Sequence, residues 1–289
     1  MITLVDSNLL TYFVLLLAVF VCWKSSFRAG LIAITVSSIA GLIFGRIQLI
    51  GLLWILLCGL TIWSAVNPSL SKWVRWLSMG IFLVIGVAMS NHLLPGFNNL
   101  LVIDRVQFSS DSAPFTMYLN FDKTVVGLFI YLFILKENEG AYWQRADVAI
   151  TMKTWALLVV LMLPIALSIH YARIDPKLPS QTWLWALNNL IFVCVAEESL
   201  SRGLIQGRLT KLVSQSSRCK WLPLAISSLL FGLNHYEGGL TYILLATIAG
   251  LFYGYTYWKT TKIETSISVH FSFNLTHFLF FSYPSKIAS

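Results

Sequence analysis

Charge is what this sequence has least of. Only 11% of its 289 residues are Asp, Glu, Lys or Arg, while 57% are hydrophobic and the mean hydropathy is +0.75. Soluble domains carry roughly 25% charged residues, so an ordinary water-facing globule is excluded. The formal net charge is +8, yet the Lys and Arg are dispersed through short loops. Without a basic tract, no nucleic-acid partner is expected. Cysteine is also scarce: Cys22, Cys58, Cys194 and Cys219 stand singly. With no CxxC spacing, neither a disulfide framework nor a thiolate zinc site is expected. No HExxH helix, internal repeat, low-complexity tract or soluble domain is found. The start, Met1 to Asp6, has no basic residue before its apolar run, so a retained anchor helix is expected in place of a cleaved signal peptide.

What the chain does have is apolar runs. A spanning helix needs about 20 mostly apolar residues. Ten segments are expected, at 9–23, 29–45, 47–66, 73–93, 124–135, 155–170, 182–200, 221–236, 239–258 and 263–281. The first, fifth and eighth are short, so the count is eight to ten, and the fold class is an all-α, polytopic transmembrane helix bundle. With ten spans, Lys24, Arg28, Lys72, Arg75, Arg208, Lys211, Arg218, Lys220, Lys259 and Lys262 share one side. The positive-inside rule makes that side cytoplasmic. Residues 95–123 read as an external loop with local structure, and 137–153 as an amphipathic interfacial helix.

Against this background the acids Glu197 and Glu198 stand out, directly after the apolar run 191–196. An acid at bilayer depth costs a few kcal/mol and is a functional-site hypothesis by default. On an α-helix Arg202 falls on the face of Glu198, while Glu197 points roughly 100° away. One expectation follows: Arg202 neutralises Glu198, and Glu197 faces a cavity where it can act as a base. The plainer alternative is that both acids cap an interfacial helix end and pair with Arg202 and Arg208.

Two later segments carry polar pairs at helical spacing, Phe231 with His235 and His270 with Asn274. From the cytoplasmic boundaries set by Arg208, Trp221 and Ile263, Glu197, His235 and His270 lie about 16, 21 and 10 Å deep. Tilt absorbs the spread, so the three helices can serve one cavity. Singly, each His or Asn is as well explained by helix-to-helix hydrogen bonding. His92, His170 and His277 are left to that role, with His277 the first to promote. Asn188 and Asn189 lie too near a helix start to single out.

The sequence Glu197-Glu198-x-x-x-Arg202, Phe231-x-x-x-His235 and His270-x-x-x-Asn274, in that order on successive apolar segments, resembles the CAAX protease and bacteriocin-processing (CPBP) family of intramembrane proteases, which includes the type II CAAX prenyl endopeptidases. The resemblance covers roughly 149–281. It implies a catalytic core over 149–289 and accessory transmembrane helices with a loop over 1–148. It implies that Glu197 activates water, assisted by His235, while His270 and Asn274 polarise the scissile carbonyl and stabilise its oxyanion. Glu198, Arg202 and Phe231 are supporting residues. A base, a water and donors aimed at developing negative charge are what amide hydrolysis needs.

No cofactor is expected. The alternative is zinc on Glu197, His235 and His270. Two rival classes remain: a non-catalytic immunity or peptide-binding scaffold of the same fold, and a proton-coupled transporter, against which no Gly/Pro-broken helices recur in two halves. The expected partners are the lipid bilayer and a membrane-anchored or lipidated protein or peptide substrate. The expected location is a prokaryotic inner or cell membrane, with the endoplasmic reticulum as the alternative.

Overall fold

Helices dominate the computed structural model, which describes residues 4–136, 143–213 and 219–285. In chain order they are α1 (Leu4–Lys24), α2 (Phe27–Ile43), α3 (Leu49–Val66), α4 (Lys72–Ser90), α5 (Phe121–Ile130), α6 (Arg145–Ser168), α7 (Thr182–Asn188), α8 (Val195–Glu198), α9 (Gly207–Val213), α10 (Leu222–Leu233), α11 (Gly239–Thr260) and α12 (Ile263–Phe280). Two strands, β1 (Leu100–Val106) and β2 (Phe115–Leu119), pair in the expected external loop.

Apolar composition explains most of these helices, and local chemistry sets their ends. Ser26 caps α2 by accepting from Ala29 N, and Ser71 caps α4 by accepting from Val74 N. Within the helices, hydroxyls turn back onto their own backbone: Ser38 donates to Ile34 O, Thr61 to Leu57 O and Thr256 to Phe252 O. These polar atoms are satisfied without water, as an apolar surrounding requires. Outward residues such as Ile43, Leu49, Val84, Val160 and Leu240 are each at least 70% exposed. In water that surface would aggregate; in lipid it is the solvent-facing side. Among the described residues four helices are long and apolar enough to cross a membrane: Leu49–Val66, Lys72–Ser90, Arg145–Ser168 and Tyr236–Thr260. Asn8–Lys24, Phe27–Ile43 and Leu222–Leu233 are apolar but shorter.

Three local expectations change. Of the interfacial helix expected over 137–153, residues 145–153 are the first turns of α6, and 137–142 lie outside the described residues. Asp147 is the reason α6 starts there, because its carboxylate accepts from Gln144 N and from Lys262 Nζ at 2.5 Å. The segment expected to end at 200 instead runs from Thr182 to Val213, with π-helical stretches Asn189–Cys194 and Ser199–Gln206 on either side of α8. The segment expected through 236 stops at Leu233, so His235 lies past the end of α10.

The chain forms two compact units that interleave in sequence. The first comprises Met1–Val102, Tyr118–Glu139 and Ile191–Leu200. In it α1 packs on α2, α3 on α4, and α5 on α3, α4 and α8. The second comprises Ile103–Met117, Gly140–Leu190 and Ser201–Ser289. There α11 packs on α6, α10 and α12.

The second unit closes one end with a clasp. Ile174 bridges Phe281, Ser282 N donates to Arg173 O, and Ala113 N donates to Ser285 O. Trp185 stacks on Phe278 at 4.2 Å and donates from Nε1 to Tyr283 Oη. Asp175 is part of this clasp, and the Ser109 hydroxyl and Lys177 ammonium beside it hold its carboxyl below the usual range. A depressed carboxyl stabilises the fold above its unfolded pKa of about 3.9, and that contribution is lost as pH falls through the folded value. Asp175→Asn is therefore expected to flatten part of the drop in melting temperature between neutral pH and about pH 3. Thermal unfolding in detergent across that range checks it; an unchanged slope would count against the assignment.

Candidate active site

In the first unit, α5 and α8 approach as closely as backbones allow. A Cβ added at Gly127 would lie 2.7 Å from Ala196 Cα, so only glycine permits this contact. Lys123, one turn before Gly127, then meets Glu197, the residue after Ala196. Nζ donates to Oε1 at 2.6 Å, and the two side chains are only 12% and 10% exposed. Glu198 is fully buried.

Glu197, read from the sequence as the acid left to a cavity, carries an ion pair from another helix that the sequence reading did not include. Lys123 lies 74 positions away in sequence, so spacing along one helix could not reveal it. The start of α5 is fixed as well. Asp122, 1% exposed, accepts from Asn99 Nδ2 at 3.0 Å and from Lys123 N at 2.9 Å, and its other oxygen meets His92 Nδ1 at 2.8 Å. Asn99 Oδ1 accepts from Phe121 N.

In the second unit Arg202, fully buried in the π-helical stretch, donates from Nη1 to Ser227 Oγ at 2.7 Å, and Ser227 donates to Ser201 O. Its guanidinium lies over the Phe231 ring at 5.1 Å and the Tyr253 ring at 6.0 Å. A Cβ at Gly250 would press within 3.3 Å of both Arg202 Nη2 and the Phe231 ring, so glycine makes the room.

Those two aromatic rings carry the imidazoles. Phe231 meets His235 at 4.8 Å and His270 edge-on at 5.6 Å, and Tyr253 stacks on His270 at 4.4 Å. Tyr242 flanks His235 edge-on at 5.1 Å. The structure thus gathers Arg202, Phe231, His235 and His270 about shared rings. His235 Nδ1 is 2.8 Å from Phe231 O. A carbonyl only accepts, so Nδ1 donates, and in the neutral imidazole Nε2 then carries the lone pair.

Asn274, one turn after His270, donates from Nδ2 to Asn189 Oδ1 at 3.2 Å. That partner is one the sequence reading passed over for lying near a helix start. Ser227 and Tyr253 were missed too. Ser227 was findable, since it sits four residues before Phe231 in an apolar run; nothing local marks Tyr253. His277 joins the clasp instead, its ring 5.3 Å from Tyr283.

The residues offered as an alternative zinc set, Glu197, His235 and His270, are drawn from both units. Among the described residues, no group of three His, Cys, Asp or Glu side chains is arranged to hold a metal ion.

Residues 179–276, about a third of the chain, match the family model described as type II CAAX prenyl endopeptidase Rce1-like. The match spans Glu197, Glu198, Arg202, Phe231, His235, His270 and Asn274, and it also takes in Asn189, Ser227 and Tyr253. No curated protein and no solved structure matches the chain.

Proposed function

From the match of residues 179–276 to the type II CAAX prenyl endopeptidase Rce1-like model, we propose that this integral membrane protein is an intramembrane endopeptidase. It hydrolyses a peptide bond in a membrane-associated protein or peptide tail. Residues 149–289 are its catalytic core and 1–148 its accessory helices, and the whole crosses the membrane eight to ten times. The observation that carries this reading is the family match over every residue of the three motifs, with His235 and His270 set on one shared ring.

In the proposed reaction Glu197 takes a proton from water, whose oxygen attacks the scissile carbonyl carbon. His235, with its lone pair on Nε2, helps align that water. His270 and Asn274 donate to the carbonyl oxygen as it becomes an oxyanion, and preorganised donors of this kind are worth on the order of 100-fold or more in rate. As the tetrahedral intermediate collapses, the C–N bond breaks and Glu197 returns its proton to the leaving amine. No metal takes part, so activity is expected to survive chelation, with zinc content by mass spectrometry well below one ion per chain. The membrane is proposed to be a prokaryotic inner or cell membrane, and nucleic acid has no role.

Terminal proteomics of cells carrying the wild-type chain or Glu197→Gln tests the reading. A protein or peptide tail should accumulate uncut in the variant. Identical termini in both cell lines would overturn the protease assignment, while binding of a peptide without cleavage would favour the scaffold.

A further inference from the structure

Resting on the protease reading above, we propose that Lys123, which lies outside the family-matched segment, is a positioning residue for the catalytic carboxylate of Glu197. A residue from the helices before residue 149 would then take part in placing the catalytic carboxylate.

Three observations carry this. The first is the ion pair itself, 2.6 Å long between two side chains about nine-tenths buried. Charges so sheltered are costly unless paired, and a charge-assisted hydrogen bond of this length is among the strong ones. The second is the contact of Gly127 with Ala196, one turn further along α5 and one residue before Glu197. It sets the distance between the two helices at the level of the pair. The third is Asp122, whose bonds to Asn99 and the Lys123 amide, with His92 alongside, pin the first turn of α5 from the other side.

Lys123 is therefore held at both ends of its own turn. The terminal torsion of a glutamate is broad and weakly restrained. With Oε1 taken by Nζ, that torsion is fixed, and a general base gains most from being fixed before substrate arrives. Its substrate binding is untouched, so the signature is a loss in kcat with KM preserved.

Proteoliposomes carrying the full chain would be assayed with two internally quenched probes, a farnesylated CAAX peptide and its unprenylated counterpart. Lys123→Gln is expected to lower kcat on the order of 100-fold, the cost of misplacing a catalytic group by about 1 Å. KM should stay within about 3-fold, and Lys123→Arg, which keeps the charge, should recover about 10-fold. Gly127→Ala, which leaves Lys123 intact but parts the two helices, should show the same kcat loss. Rates are taken per folded molecule, from thermal unfolding of each preparation.

Wild-type kcat in folded Lys123→Gln overturns the proposal, and if that variant does not fold, wild-type kcat in Gly127→Ala does so. If Glu197→Gln abolishes cleavage while Lys123→Gln does not slow it, this inference alone fails. If the wild-type chain cuts neither probe, or Glu197→Gln still cuts at full rate, the protease reading fails and this inference falls with it.

Discussion

Purified Glu197→Gln is expected to lose between about 10²- and 10⁴-fold of kcat, the range contributed by a positioned general base. The substitution conserves size and leaves an amide oxygen where Oε1 accepts from Lys123, so the helices keep their contact. What it removes is the negative charge and the lone pair that takes the water proton. Melting should fall only modestly, by the equivalent of about 1–3 kcal/mol, because the sheltered ammonium keeps a hydrogen bond but loses its counter-charge. Loss of rate in a folded protein with KM little changed is the combined result that supports the mechanism. A full rate would show that the nucleophilic water is activated elsewhere, and a chain that fails to assemble would show Glu197 to be a strut.

Most of the helical architecture was legible because it depends on local composition. Runs of apolar residues mark α1 to α4, α11 and α12 and the end of α6 within a few residues, and the spacing of His270 and Asn274 placed both on α12. What escaped was everything decided by contacts distant in sequence. The separation of Asn274 from Asn189 is 85 residues, and that of Lys123 from Glu197 is 74. No helical period reaches that far. The π-helical stretches beside α8 were invisible for a different reason. Their register is set by packing, and π turns carry no residue signature, although they are frequent at functional sites. Local structure was expected in the loop 95–123, but β1 and β2 were not identified in it because a two-stranded pair of this length leaves only a weak alternation. Glycine carried more information than was taken from it. Gly127, Gly250 and Gly254 each mark a close approach: Gln206 Nε2 donates to Gly254 O, and a Cβ at Gly254 would lie 2.7 Å from Gln206 Oε1. Small residues at four-residue spacing on an apolar helix are the usual sign of tight helix contact.

Arg202→Met is expected to have the largest effect on stability, destabilising the fold by about 3–5 kcal/mol, the range for stripping one partner from a buried polar network. Arg202 is fully buried, and its guanidinium both donates to Ser227 and lies over the rings of Phe231 and Tyr253. Methionine fills much of the volume but supplies neither donor nor charge. Ser227 would keep its own bond to Ser201 O and lose its donor. The consequence reaches the imidazoles, because Phe231 touches His235 and His270, and Tyr253 stacks on His270. Arg202→Lys separates the two roles of this residue. It keeps a cation near the rings but lacks the planar fork that stacks on one ring while bonding sideways to a hydroxyl. Its melting temperature should recover part of the loss, while its kcat stays low because the guanidinium no longer lies over the rings that touch the imidazoles. Thermal unfolding and kinetics on the same three preparations decide the matter. If Arg202→Lys matched the wild type in both, Arg202 would be serving only as a counter-charge, and the arginine–aromatic–imidazole stack would have no part in placing His235 and His270.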